Sequence, residues 1–310
     1  MITSTANARV KQLIQLQKKA KMRNEQDVFV VEGIKMFREI PPGRLIQTFA
    51  SESFYQKNES MLKNSSPLTL LSDHVFESVS DTRTPQGVLA LVRQYHYGLE
   101  DLLGRSAPGS GSSRASAQCE AYFGAPFGSA QSGWTAAEKT GMKSMAENPL
   151  VLALENLQDP GNLGTILRTA EGAGATGILL GPGCADIYNS KVIRSTMGSV
   201  YRMPFYYTDD LRRDILVLRE KGVCWHAAHL EGSVPYDEAD YCGPSGILIG
   251  NESKGLTAET AALADRRVCI PMCGQVESLN AAVAASILVY EANRQRRNTA
   301  GKRAEKSLWK

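Results

Sequence analysis

The sequence predicts an α/β protein whose second half is built around a parallel β-sheet. From Pro149 onward, short apolar runs alternate with segments of helical periodicity, and the first run, residues 150–154, is apolar at every position. A strand that is apolar throughout is typical of a parallel sheet, because helices cover both of its faces. A smaller α/β unit is predicted ahead of it, in residues 1–97.

The composition fits a globular protein of two domains. The chain has 310 residues, of which 43% are hydrophobic, and a formal net charge of +3. Basic residues cluster near both ends: Arg9, Lys11, Lys18, Lys19, Lys21 and Arg23, then Arg294, Arg296, Arg297, Lys302, Arg303, Lys306 and Lys310. Such ends suit a polyanion, although for the C-terminal tail a frayed, solvated segment is the simpler interpretation.

Metal, disulfide and membrane classes are not favoured. The six cysteines form no CxxC pair, and Cys269 and Cys273 have poor spacing for zinc. His226 and His229 lack a third ligand, so we interpret them as structural. No signal peptide and no membrane-spanning run is found. We therefore expect a cytoplasmic protein with reduced thiols and no metal.

The elements of the first unit follow from caps, breakers and apolar runs. Asn7 can cap a helix that continues to Lys21, and Pro41-Pro42 stops a second helix over 33–40. Strands are predicted at 28–31, 45–50, 68–71 and 88–92.

Residues 98–148 are rich in Gly, Ser and Ala and have no hydrophobic period. We predict a flexible linker or insertion here. The aromatic residues Tyr122, Phe123, Phe127 and Trp134 leave open a segment that docks on a domain or stacks on a base.

The second unit, residues 149–310, alternates strands and helices. Strands are predicted at 150–154, 178–180, 223–228, 247–249 and 268–270; helices are predicted at 162–172, 210–221 and 279–297, with a further segment around 191–197.

Residues 172–177 spell GxGxxG, but the glycines follow a helix and precede a strand. This order is the reverse of a dinucleotide site, so we interpret Gly172 and Gly174 as a helix C-cap and turn.

Three motifs carry the functional prediction. In DPGNLGTILRTA, Asn162 lies at or near a helix N-cap, and Arg168 presents a guanidinium that suits a phosphate or a ribose. In ILIGNESKGL, Gly250 ends an apolar strand and permits close approach, and Glu252 follows it. Taken singly, Asn162 also fits an ordinary helix cap, Arg168 a surface arginine, and Glu252 a cap or a salt-bridge partner.

The third motif, IPMCGQVESLNAAVAAS, is the most specific. It leaves a strand at Ile270 and Met272 and opens a helix at Ser278, Leu279 and Asn280, where small residues permit tight packing. Loops at the carboxyl ends of parallel strands are where such sheets bind ligands.

Together, the three motifs resemble those of the SpoU (TrmH) branch of the SPOUT RNA methyltransferases. The resemblance covers 149–297 closely. More loosely, FVVEGIKMFREI resembles the SpoU substrate-binding domain, which is similar in fold to ribosomal protein L30e. The resemblance implies a deep trefoil knot, a homodimer, and S-adenosylmethionine as the methyl donor to a ribose 2′-hydroxyl of RNA. The linker is longer than is typical of the family.

The resemblance also implies roles for single residues. The implied catalytic residues are Asn162, Arg168, Glu252, Ser278 and Asn280, and the implied donor-binding residues are Gly250, Ile270, Met272 and Leu279. Because guanidinium stays protonated, we favour Arg168 as an orienting group, with a phosphate oxygen, Ser278 or water as the proton acceptor; Arg168 as the base stays an alternative.

The predicted substrate is ribosomal RNA, 23S above all. A tRNA ribose methyltransferase and a non-catalytic RNA-binding protein that retains the fold are the alternatives. The sequence identifies neither the methylated nucleotide nor whether naked RNA or a ribosomal particle is used.

Overall fold

A computed structural model describes residues 1–62, 67–104, 148–231 and 233–307 of the chain. The described residues divide into two units, each with its own sheet. The first unit contains Met1–His96, Gln158–Arg168 and Ala185–Arg202, and the second contains the remaining described residues. The domain boundaries expected from the sequence stay a prediction.

The first unit is built on a four-stranded sheet. Its strands are β1 (Val28–Glu32), β2 (Leu45–Ser51), β3 (Leu68–Leu71) and β4 (Val88–Arg93), in the order β1-β4-β2-β3. The pairs β1/β4 and β2/β4 are antiparallel, and β2/β3 is parallel. All four strands lie where the apolar runs predicted them.

Within the described residues up to His96, five helices accompany this sheet. They are α1 (Ala8–Lys18), α2 (Ala20–Gln26), α3 (Ile34–Arg38), α4 (Glu52–Leu62) and α5 (Asp73–Val79). Asn7 caps α1 as predicted, since its Oδ1 accepts the Arg9 N–H at 2.9 Å. The helix predicted to reach Lys21 is interrupted, however, because Lys19 takes an extended conformation. Helices α4 and α5 were not predicted, since each is a short helix with only two or three buried residues.

Arg23 corrects the expectation of a uniformly exposed basic helix face. Its side chain is only 4% exposed, pairs with Asp186, and donates to the carbonyls of Leu16 (2.7 Å) and Gln17 (3.0 Å) in the last turn of α1. These carbonyls lack partners within the helix, so the guanidinium completes the helix end. Arg23 therefore supports the fold and cannot contact RNA phosphates, whereas Arg9 and Lys11 stay exposed.

The second unit is built on a seven-stranded, entirely parallel sheet. Its strands are β5 (Leu150–Leu154), β6 (Gly177–Leu180), β7 (Phe205–Tyr207), β8 (Cys224–Ala228), β9 (Val234–Pro235), β10 (Ser245–Ile249) and β11 (Arg266–Cys269), in the order β7-β6-β5-β10-β8-β11-β9. Every residue of β5 and β10 is buried, as expected of interior strands. The short strands β7 and β9 were not predicted.

Five further helices complete the described chain. They are α6 (Pro160–Gly172), α7 (Ser190–Thr196), α8 (Leu211–Glu220), α9 (Ala258–Ala261) and α10 (Ala281–Ser307). At the end of α6, Gly174 has a φ of +79° and strand β6 follows at Gly177, so the glycines are a helix terminus and turn as predicted. No helix in the described ranges is long and apolar enough to cross a membrane.

The start of the expected linker is ordered. Residues Leu99–Leu103 form a 3₁₀ helix, and Leu102 and Leu103 are buried in the core of the second unit. Thr176 Oγ1 donates to the Leu102 carbonyl at 2.7 Å. This turn was not predicted, because two leucines are too few to show a hydrophobic period. Most of the expected linker, including its four aromatic residues, lies outside the described residues.

Arg296 anchors α10 in the second unit and is a second basic residue that is not available to RNA. Its side chain is 5% exposed and donates to four main-chain carbonyls, those of Asn148 (2.8 Å), Pro149 (3.1 Å), Tyr241 (2.9 Å) and Gly243 (2.7 Å). Burial lowers the pKa of Arg296 to about 10, so it stays charged at neutral pH.

Candidate active site

The carboxyl ends of β5 and β10 place two loops of the second unit side by side. The two strands are parallel neighbours, and their last residues, Leu154 and Ile249, are paired in register. The loop after β5 begins at Glu155, and the loop after β10 begins at Gly250. Open α/β sheets bind ligands at this edge, so we expect a ligand-binding site at these two loops.

The loop after β10 folds tightly back on itself. Asn251 and Gly255 exchange main-chain hydrogen bonds of 3.0 and 2.9 Å, and Asn251 Oδ1 accepts the N–H groups of Ser253 and Lys254. A Cβ on Gly250 would lie 2.1 Å from the carbonyl carbon of Gly255. Only glycine fits here, and the close approach predicted for Gly250 is to the loop's own main chain. Glu252 is half-buried beside Asn251.

Gly250→Ala is expected to lower donor binding by at least about tenfold, because the added methyl group cannot coexist with the loop's main-chain hydrogen bonds. Isothermal titration with S-adenosylmethionine measures the effect. Gly243→Ala is the control, because a Cβ added at Gly243 meets no atom within 4 Å and the φ of Gly243 is not in the left-handed region. Gly222→Ala would be a poor control, since the φ of Gly222 is +93° and an alanine there would strain the main chain. Equal donor affinity for Gly250→Ala and the wild-type protein would contradict this account.

Glu155 ties this loop to the end of β5. Its carboxylate accepts the Thr257 N–H at 2.7 Å, the Thr257 hydroxyl at 2.8 Å and the Thr260 hydroxyl at 2.5 Å. Next to it, the Asn156 carbonyl accepts the Asn251 side-chain amide at 2.8 Å. Neither Glu155 nor Asn156 was predicted as a site residue. Their position directly before the first motif was the only signal, and it did not reveal that they meet residues about 100 positions away.

Glu155→Gln is expected to weaken donor binding by about fivefold with a smaller loss of stability, because an amide can accept from only one of its two ends. Donor titration and thermal melting of the same preparations separate the two effects. Glu259→Gln is the control, since Glu259 is an exposed glutamate of α9. Unchanged donor affinity in Glu155→Gln would show that the hydrogen bonds of Glu155 to Thr257 and Thr260 do not determine the donor-binding conformation of the loop after β10.

The loop after β11 contains the third motif. Residues 271–278 are exposed apart from Met272, while Ile270, Met272 and Leu279 are half-buried. Asn280 Oδ1 accepts the N–H groups of Ala282 (2.9 Å) and Val283 (3.3 Å) and so caps α10. The predicted helix start is confirmed within two residues, and Asn280 has a structural role in it. Ser278 is exposed.

In the first unit, Asp159 takes the capping role that the sequence analysis gave to Asn162. Helix α6 begins at Pro160, and Asp159 Oδ1 accepts the Asn162 N–H at 2.7 Å. Asn162 therefore lies in the first turn and is half-buried. The correction arises because Pro160 can occupy the first position of a helix, where its missing N–H is not needed.

Helix α6 packs closely on α7 within the first unit. A Cβ on Gly164 would lie 2.4 Å from Ser195 Cβ and 2.8 Å from the Val192 carbonyl oxygen. Arg168, one turn further along α6, is exposed. Among the described residues, no carboxylate pairs with Arg168, so its guanidinium donors face solvent. This is the state expected of a side chain that binds an anionic ligand.

The two histidines of the sequence analysis have structural surroundings. His226 is fully buried in β8, where it contacts Tyr241 and lies 3.3 Å from the Gly246 carbonyl; burial lowers its pKa. His229 Nδ1 accepts the Glu231 N–H at 3.1 Å. Within the described ranges, no three His, Cys, Asp or Glu side chains lie close enough together to hold a metal ion.

Comparisons with known proteins decide the family. Residues 149–290 match the model of the SpoU rRNA Methylase family, and residues 7–90 match the MRM3-like substrate binding domain. The chain is 30% identical over 297 residues to the 23S rRNA (guanosine(2553)-2'-O)-methyltransferase RlmP of Bacillus subtilis, and the match covers 93% of this chain and 97% of that one.

The chain belongs to the SpoU family. A solved structure of an AdoMet-bound rRNA methyltransferase from Sinorhizobium meliloti superposes with a TM-score of 0.71 at 30% identity, covering 94% of this chain and 97% of that one. The 23S rRNA (guanosine-2'-O-)-methyltransferase RlmB of Xanthomonas axonopodis pv. citri is 34% identical over 164 residues, 53% of this chain and 66% of that one. The predicted family and the SPOUT α/β fold are confirmed, and the knot stays a prediction.

Proposed function

We propose that this SpoU family chain methylates a ribose 2′-hydroxyl of 23S ribosomal RNA with S-adenosylmethionine as the donor. The observation that carries the proposal is the likeness to RlmP over nearly the whole of both chains. A non-catalytic protein that retains only the fold is less well supported, because the relative matched over nearly the whole of both chains is named a methyltransferase.

The residues of the second unit fit the donor. The loops after β10 and β11 expose main-chain groups suited to ribose and adenine edges, and Ile270, Met272 and Leu279 add half-buried apolar surface for a flat ring. We propose that these residues and Gly250 hold the donor. When bound, it supplies a methyl group on a positively charged sulfur.

The proposed roles of the chain's own residues follow from their chemistry. Arg168 orients the RNA by its donor fork, since a guanidinium fits phosphate and ribose oxygens and keeps its proton. Asn162 offers an amide in the same helix. Ser278 presents an exposed hydroxyl that can relay the proton, accepting it from the 2′-hydroxyl while giving its own proton to water. Holding the alcohol in line with the methyl group and sulfur of the donor can lower the activation barrier by on the order of 7 kcal/mol.

Glu252 and Asn280 are proposed to act by holding their loops. Glu252 lies beside Asn251 in the turn after β10, and Asn280 caps α10 directly after Ser278. We propose a homodimer as the working form. Val283 and Tyr290, which lie seven residues apart on α10, are 46% and 51% exposed, and such an apolar stripe supports a partner. A monomer in light scattering at micromolar concentration would contradict the dimer.

The experiment that tests the function is a comparison of 2′-O-methyl sites in the host's ribosomal and transfer RNA with and without this gene. We expect one site in 23S rRNA to lose its methyl group and to regain it when the purified protein and donor are added back. A lost site in tRNA instead would support the tRNA alternative. No lost site, with no transfer in vitro to rRNA or ribosomal particles, would overturn the proposal.

A further inference from the structure

Four exposed basic side chains of the first unit lie on elements that contact one another in turn. They belong to α3, to the loop between α5 and β4, to α7 and to α6. Within the described ranges, no carboxylate forms a salt bridge with any of them. We call these four residues the basic track: Lys35, Arg83, Lys191 and Arg168.

The first contact joins the loop between α5 and β4 to α3. In this loop, Gln86 Oε1 accepts the Ile34 N–H in the first turn of α3 at 2.8 Å. Lys35 directly follows Ile34, and Arg83 lies three residues before Gln86. The hydrogen bond therefore holds the main-chain segments that carry Lys35 and Arg83 close to each other.

Two further contacts extend the series to α7 and α6. Asp81, two residues before Arg83, accepts the Ser190 hydroxyl at 2.6 Å. Lys191 directly follows Ser190 in α7. Helix α7 in turn packs closely on α6, and α6 carries Arg168. The track therefore continues across all four elements, in the order α3, loop, α7 and α6.

The carboxylates beside the track are engaged by donors of the protein itself. Glu32 accepts the Asp81 N–H at 3.2 Å, and Glu39 pairs with Arg202 at 2.8 Å. Asp81 accepts the Arg194 guanidinium at 2.7 Å. Burial raises the pKa of Asp81, but hydrogen bonds from α7 outweigh burial and hold this pKa below its usual value. Asp81 therefore stays charged and paired with Arg194 at neutral pH, and the charges of the track are left for a ligand.

The arrangement fits a long anion better than a small one. A small anion is held where several donors converge, whereas these four cations are exposed and distributed over four elements, which suits the successive phosphates of a nucleic acid. An anionic membrane surface is a poorer fit, because peripheral membrane sites add exposed apolar side chains. Among the described large apolar side chains that are exposed, only Met1 lies in the first unit.

We infer that the phosphate backbone of the RNA follows the basic track, and that its other three residues bind phosphates beside the nucleotide held by Arg168. The inference rests on the proposed function, because it takes RNA as the substrate and Arg168 as the residue that orients the reacting ribose. Phosphate contacts fix the register of a nucleic acid without reading its sequence. On this account α3, α6 and α7 carry the main electrostatic contact, and α1, the basic helix near the N-terminus, does not.

The test measures how binding of the full chain to a uridine oligomer depends on salt. Each phosphate contact with a single strand contributes about 0.7 to the slope of log affinity against log salt concentration, which corresponds to about fivefold in affinity at about 0.1 M salt. Lys35→Ala, Arg83→Ala and Lys191→Ala should each lower the slope and the affinity by these amounts. Lys11→Ala and Lys18→Ala are the matched controls, since each removes an exposed charge of α1 in the same unit. Both controls should keep the slope and stay within about twofold of the wild-type affinity.

Methyl transfer to 23S rRNA is measured with the same proteins. The three track variants should raise the KM for RNA by about fivefold and leave kcat unchanged, because a contact remote from the reacting atoms binds the ground state and the transition state equally. Loss of a merely structural contact would leave the slope unchanged and lower the melting temperature. Thermal melting of all variants verifies that they are folded.

Two outcomes would overturn the inference: track variants that keep the wild-type slope and KM, or α1 variants that lower the slope as much as the track variants do. In either case, normal transfer by the wild-type protein would leave the proposed function intact. Absence of transfer by the wild-type protein to any RNA, with salt-dependent binding retained, would defeat the proposed function instead.

Discussion

Replacing Arg168 with alanine is expected to lower methyl transfer by at least about a hundredfold while leaving donor affinity unchanged. Displacing a reactant by about 1 Å can lower the rate by about 10²-fold, so the loss of an orienting guanidinium should have an effect of this size. Arg168 is not among the donor-binding residues proposed above, so its loss should leave donor affinity unchanged. Single-turnover transfer of labelled methyl to 23S rRNA, with calorimetry of donor binding, gives both quantities.

The matched control is Arg212→Ala, which removes an exposed arginine from α8. It should leave transfer within about twofold of the wild-type rate, since surface charges remote from a site have small effects. Arg168→Lys discriminates between roles. A pure charge effect would be rescued by lysine, whereas a forked contact to phosphate and ribose would not. Most of the activity surviving in Arg168→Ala would refute the assigned role.

Replacing Arg296 with methionine is expected to lower the free energy of unfolding by about 3 kcal/mol. The variant would leave four main-chain carbonyls without the guanidinium, and hydrogen bonds from a charged group contribute roughly 1.5–3 kcal/mol each. Burial of the charge, which lowers the pKa of Arg296, works in the opposite direction and offsets part of this gain. We expect the four bonds to dominate.

Urea denaturation of Arg296→Met and of Arg297→Met measures this effect against a neighbouring control. Arg297 is exposed, so its replacement should change stability by less than about 0.5 kcal/mol. The difference between the two variants isolates the buried contacts, because both lose one positive charge from the same turn of α10. Equal stabilities would show that the desolvation of Arg296 cancels its hydrogen bonds.

The sequence by itself indicated most of the strands and helices, the parallel sheet and the family. These depend on local patterns: the apolar run at 150–154 indicated the parallel sheet, and the three motifs indicated the family. Hydrophobic periodicity and turn-forming glycines or prolines act over a few residues, so they can be recognised without knowing the fold. Elements with few buried residues, such as α4 and the strands β7 and β9, carry too little pattern and were missed.

Tertiary structure alone decided which charged and polar side chains serve the fold and which stay available for function. Arg23, Arg296 and Arg168 look alike in the sequence, yet the first two are buried on main-chain carbonyls and the third is exposed. Glu155 gained its role from Thr257, 102 residues later. Burial and long-range hydrogen bonds depend on which segments the sheet brings together, and no local pattern records them.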